Sequence, residues 1–152
     1  MRITIAAVGR LRAGPMQDLL SEYLRRLTWP HDVKEVEEKR QMPPEALKRR
    51  EGELLLQSLP RQASVIALDG RGQSLTSEGF AHLIRGYRDA GTGDLAFLIG
   101  GAEGLSDQAR AAAERRLAFG AMTWPHLLVR VMLAEQLYRA QSILTGHPYH
   151  RA

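Results

Sequence analysis

The chain has 152 residues and a mass of 17.0 kDa, enough for one domain that hides roughly 70% of its unfolded surface. Hydrophobic residues make up 44% and charged ones 25%, which excludes a disordered chain. The lack of cysteine excludes a disulfide framework, a thiolate zinc site and a cysteine nucleophile, and a formal charge of +4 leans modestly towards anionic partners.

All basic residues but Lys34, Lys39 and Lys48 are arginine, whose planar fork suits phosphates and base edges. A GC-rich genome inflates arginine equally well, so composition permits nucleic-acid binding without showing it. The five histidines have no compact ligand spacing, so no resident metal is expected. The opening MRITIAAVGR is closed by Arg10 after a short apolar stretch, and no run reaches the roughly 18 apolar residues of a membrane span. The expectation is a soluble, cytoplasmic protein with no membrane partner.

In chain order, Ile3 to Val8 reads as a buried strand ended by Gly9. Pro15 opens a helix carrying Leu19, Leu20, Tyr23, Leu24 and Leu27 at three-and-four spacing, and Trp29-Pro30 stops it. Val33 to Glu37 is a weak strand. Pro43-Pro44 opens a charged helix to about Leu59, with Leu47, Leu54 and Leu55 expected inside. Ser64 to Asp69 is a strand leading into a turn at Gly70-Arg71-Gly72. Thr76 is suited to cap a helix from Ser77 to about Asp89, and Leu95 to Ile99 is the most apolar strand. Ser106 caps a helix from Asp107 to about Arg116, Leu117 to Met122 is a further strand, and Pro125 leads into the last helix.

Short continuous apolar strands alternating with helices imply an α/β domain, a parallel sheet covered on both faces. Ligands in such sheets sit beyond the carboxyl ends of the strands. That gathers the loops after Asp69, after Ile99 and around Met122 to His126 into one place. The last helix is apolar on two sides. Val129, Leu133, Leu137, Ala140 and Leu144 form one stripe and Val131, Ala134 and Tyr138 another, with Glu135, Arg139 and Ser142 as the polar arc. Such a helix needs two surfaces. A partner subunit or a central place in a monomer's core would each supply the second.

LIGGAEG at 98–104 follows a strand and precedes a capped helix, the setting of a nucleotide site, but it lacks the GxGxxG spacing of a dinucleotide fold. No GxxxxGK[ST] occurs. TWPH at 123–126 reads as helix punctuation, with Thr123 able to cap and Pro125 in the first turn. In the tail Gly146 ends the helix and Pro148 prevents its resumption, and His147, Tyr149, His150 and Arg151 crowd together: a tyrosine able to stack, an arginine able to hold negative charge and two histidines able to move protons.

LIGGAEGLSD, TWPHLLVRVMLAEQLYRAQSILTGHPYHR and the opening ITIAAVGR with SEYLRRL resemble the RlmH family almost end to end. Members are SPOUT-class methyltransferases that act on a pseudouridine of 23S ribosomal RNA. The resemblance implies one SPOUT domain over 1–152, an α/β knot in which the carboxyl-terminal segment threads a loop, and a homodimer. It implies S-adenosylmethionine as methyl donor. By motif the cofactor site falls on Leu68, on Gly100 and Gly101, and on Phe119, Gly120, Ala121, Met122, Thr123 and Trp124. The family often has an aliphatic residue at Trp124 and a proline at Ala102. The implied target is N3 of the pseudouridine, on 23S rRNA within the assembled ribosome. Arg139 and Arg151 take electrostatic or phosphate roles, Tyr149 and His150 base stacking and proton handling, and Glu135 orients Arg139. Two other readings stay open: a non-catalytic ribosome-binding module of the same fold, and a transfer-RNA methyltransferase with another target nucleotide.

Overall fold

A computed structural model describes residues 1–151. Five strands form one parallel sheet in the order β2-β1-β4-β3-β5. They are β1 (Arg2–Val8), β2 (His31–Val36), β3 (Ser64–Ser74), β4 (Asp94–Ile99) and β5 (Arg115–Ala118). The helices α1 (Pro15–Arg26), α2 (Pro44–Gln57), α3 (Ser77–Asp89), α4 (Asp107–Ala112) and α5 (His126–Thr145) alternate with them.

Side chains alternate across the pleat, so each central strand feeds two cores. Ile3, Ile5, Ile66, Leu95, Phe97 and Ile99 face α3 and α5, where Phe80, Ile84, Leu133 and Leu137 close the layer. Ala6, Val8, Val65, Ala67 and Leu98 face α2 and α4, meeting Leu55, Leu105 and Ala109. The central strands are therefore apolar throughout because both of their faces are covered.

Several expected boundaries shift. β3 does not end in a turn at Gly70. Leu68 and Gln73 both pair with Leu117, so Asp69 to Gly72 bulge out of the strand, which then resumes. Gly72 allows this because a Cβ there would lie 2.6 Å from the Arg116 carbonyl carbon. Arg115 and Arg116 belong to β5 rather than α4, and the strand stops at Ala118, leaving 119–125 as a loop. β2 covers His31–Val36, starting two residues earlier than expected, because it registers with Ile3 to Val8 of β1. On α2 the buried residues are Glu51, Gly52 and Leu55, whereas Leu47 and Leu54 are only half-buried.

Thr76 and Ser106 cap their helices as expected, accepting the backbone N–H groups of Gly79 and Ala109. Pro125 holds the N-cap position of α5 and no side chain caps it, Thr123 included. Gly146 ends α5 at φ 75°, a left-handed turn that glycine adopts without strain. The two stripes of α5 are both covered within the chain: Val131 and Ala134 pack with Leu11 and Leu20 from the α1 side. Ser142 is buried, not part of a polar arc, and its hydroxyl donates to the Tyr138 carbonyl.

Candidate active site

The bulge within β3 and the loops after β4 and β5 meet around a cavity of about 430 Å³. The β3 bulge supplies Leu68, Asp69, Gly70 and Arg71. The loop after β4 supplies Gly100, Gly101, Ala102 and Gly104. The third wall is Phe119, Gly120, Ala121, Met122, Thr123 and Trp124, with His126 opening α5. All nine residues expected at a cofactor site thus line one cavity.

The glycine loop is tight for a sequence reason. Gly101 and Gly104 form an isolated bridge, and the Gly104 N–H donates to the Gly101 carbonyl at 3.0 Å. A Cβ on Gly100 would lie 2.6 Å from the Gly104 carbonyl carbon, closer than side-chain contacts allow. Gly104 itself has φ 81°. In the third wall the Trp124 indole N–H donates to the Phe119 carbonyl at 2.9 Å and closes the loop on itself. Met122 is 77% exposed at its tip.

Asp69, Arg71 and His126 bring chemistry to the cavity that the motifs did not single out. Asp69 accepts from the Arg71 backbone N–H at 3.0 Å and lies 3.8 Å from the Arg110 guanidinium. Burial first, and then the charge of Arg130, hold the His126 imidazole below its ordinary pKa, so it is neutral at pH 7. Arg130, one turn into α5, is fully buried; it pairs with Glu35 at 2.5 Å and donates to the Val8 and Gly9 carbonyls. The carboxyl end of β1 is thereby tied to the start of α5. Glu35 also accepts the Leu11 N–H at 2.7 Å. Sequence reading missed Arg130, although its spacing to Leu133 and Ala134 places it amid the buried face.

Arg139, Tyr149, His150 and Arg151 do not line this cavity. Tyr149 lies instead against α5 and α1 of its own chain. The Tyr149 hydroxyl donates to Glu135 Oε1 at 3.0 Å and shares a 3.3 Å hydrogen bond with the Tyr23 hydroxyl. The same carboxylate pairs with Arg139 at 2.5 Å, and the Arg139 guanidinium stands 5.1 Å from the Tyr149 ring centre. Tyr138 meets Tyr149 at 4.6 Å between centroids. Burial, then the hydrogen bonds to Tyr23 and Glu135, push the Tyr149 phenol well above its ordinary pKa of 10. Among the described residues His150 Nδ1 is buried without a hydrogen-bond partner, and Arg151 is exposed.

A second, apolar groove of about 470 Å³ runs between α1, α3 and α5, lined by Leu19, Phe80, Leu128, Met132 and others. Leu117, Ala118, Phe119 and Gly120 line both spaces, so the groove and the loop cavity share a wall. Tyr23 and Glu135 stand at the groove, which places the tail cluster on its border. Among the described residues no group of acidic and histidine side chains could hold a metal, and no helix is long and apolar enough to cross a membrane.

The family model for a predicted SPOUT methyltransferase matches residues 1–150. A protein of Paramagnetospirillum magneticum named ribosomal RNA large subunit methyltransferase H is 59% identical over 99% of both chains. One of the same name from Rhodospirillum centenum is 57% identical over 100% of both. Among solved structures, a Legionella pneumophila methyltransferase with bound S-adenosylmethionine shares the fold at a TM-score of 0.50 and 11% identity. The match covers 92% of this chain and 66% of that one. On the full-length match to the family model and to these relatives, the chain belongs to the SPOUT methyltransferase family.

Proposed function

We propose that the chain is a methyltransferase that uses S-adenosylmethionine to methylate N3 of a pseudouridine in 23S rRNA, on assembled ribosomes in the cytoplasm. The observation that carries this is the single cavity enclosed by the β3 bulge, the glycine loop and the 119–124 loop, in a chain of this family. The glycine loop keeps backbone groups open to a flat ring, the Trp124 clip holds the third wall, and Asp69 offers a carboxylate to hydroxyl groups. These features fit an adenosine-bearing cofactor. The names of the relatives support large-subunit rRNA as substrate.

When bound, S-adenosylmethionine supplies an electrophilic methyl group on a positive sulfur. Transfer of that methyl to N3 would need the N3 proton to pass to a base and would leave a neutral thioether as product. The residues of the chain then have to position two reactants and favour the imide anion. Arg151, exposed, suits that anion or a phosphate, and Arg139 is held by Glu135. Tyr149 keeps its proton near neutrality and so stacks or donates rather than acting as base. His150, with an unpartnered nitrogen, suits proton removal.

The tail lies off the cavity of its own chain, which supports a homodimer in which one protomer's tail serves the other's cavity. The apolar groove beside that cavity, with Leu19 45% exposed and Met16 38% exposed at α1, supports a dimer interface there. The return of α5 from the edge strand β5 across the sheet to α1 supports a threaded, trefoil-knotted terminus. Incubation with methyl-labelled S-adenosylmethionine and intact ribosomes, free subunits, naked rRNA or transfer RNA tests the reading. Label in 23S rRNA of intact ribosomes is expected. Label in transfer RNA alone favours the other substrate, and binding to ribosomes without label favours a non-catalytic module.

A further inference from the structure

Behind the glycine loop stands a carboxylate that the protein leaves without a counter-charge. Glu51, on the inner face of α2, is 9% exposed. Among the described residues its Oε1 is buried with no hydrogen-bond partner, and no cationic side chain pairs with it. Both oxygens lie against Gly101: a Cβ there would be 3.3 Å from Oε1, 3.2 Å from Oε2 and 2.9 Å from Val8 Cγ1. The missing side chain of Gly101 is thus what lets the carboxylate reach the loop. Its neighbour Gly52 seats α2 against the same segment, where a Cβ would overlap the Ser106 hydroxyl. Two consecutive residues of α2 are therefore fitted to the underside of the cofactor loop.

A buried carboxylate without a cation is costly, and proteins ordinarily pair it or bind something positive to it. Burial raises the Glu51 pKa, and the charge acting with it, that of Glu103 on the same loop, raises it further. Gly101, which separates Glu51 from the cavity, contributes only backbone to the partition. The cofactor proposed for the cavity carries a positive sulfur, and its product of transfer carries a neutral one.

We infer that Glu51 is the electrostatic counterpart of the cofactor's sulfonium, acting across the Gly101 backbone to favour the charged donor over the neutral thioether product. This rests on the cofactor reading above. Glu51 touches no reacting atom and is a positioning residue; its charge selects the loaded cofactor and helps the spent one leave.

Calorimetric titration of the full chain with S-adenosylmethionine and with S-adenosylhomocysteine tests this directly. The two differ by the methyl group and the charge on sulfur. Glu51→Gln is expected to weaken S-adenosylmethionine about tenfold while leaving S-adenosylhomocysteine nearly unchanged, the scale of one charge pair in a partly screened interior. Glu51→Asp should restore most of the preference. Should Glu51→Gln fold poorly, Glu51→Met removes the charge in an apolar form and must show the same selective loss. Equal weakening of both ligands, or of neither, would overturn the inference while leaving the cofactor reading intact. A wild-type chain that binds neither ligand would overturn both.

Discussion

Arg130 lies fully out of solvent on a helix whose neighbours are leucine, valine and alanine. It is tolerated there because Glu35 and two β1 carbonyls take up its guanidinium. Arg130→Ala removes those partners and opens a cavity, so it should cost about 3 kcal/mol, read as a lower denaturation midpoint. Its neighbour His126 is held neutral by burial and by Arg130. A depressed imidazole favours the unprotonated fold, so its share of stability is present above pH 6.5 and is lost as pH falls through the lowered folded value. In an NMR titration His126 should titrate below 6.5, and Arg130→Met should move it upward without restoring the ordinary value, because burial is the larger cause. The pairing of Arg130 with Glu35 could not be read from the sequence, since the two stand 95 positions apart and only the fold brings them together.

At the scale of elements, local signals were legible and non-local pairings were not. The caps at Thr76 and Ser106, the helix stop at Gly146 and the apolar run of β4 are written in neighbouring residues and stand where the sequence places them. The β3 bulge escaped notice because it exists only by pairing Leu68 and Gln73 with the same Leu117. Glu51 and Gly52 escaped because their spacing to Leu55 marks a buried face, yet a charged residue and a glycine read as exposed. The motif residues at 68, 100–101 and 119–124 do converge on one cavity, whereas Arg139 and Tyr149 meet instead at Glu135. Gly100→Ala tests the glycine loop. Its Cβ would press on the Gly104 carbonyl, so the loop must open. S-adenosylmethionine affinity should fall at least about tenfold, with a stability loss of about 1–3 kcal/mol, measured by calorimetry and denaturation.

At the scale of the whole molecule, the separation of cavity and tail is the organising fact. The cavity is built by the β3 bulge and the loops after β4 and β5, while Tyr149 is anchored to Glu135 and Tyr23 on the far side of the shared wall at Leu117 to Gly120. An apolar groove borders that wall, so a second copy seated in the groove would bring its own tail beside the cavity. In the dimer we propose, the short chain is half of an enzyme whose working site is shared. A mixing experiment tests this account most directly. A Gly100→Ala chain, impaired in its cavity, is unfolded and refolded together with an Arg151→Ala chain, impaired in its tail, and methyl transfer to ribosomes is measured. If the site is shared, half the dimers are mixed and each carries one intact site, so activity should recover to about a quarter of wild type. If each cavity uses its own chain's tail, no intact site forms, and activity that stays at the level of the separate variants would contradict the account.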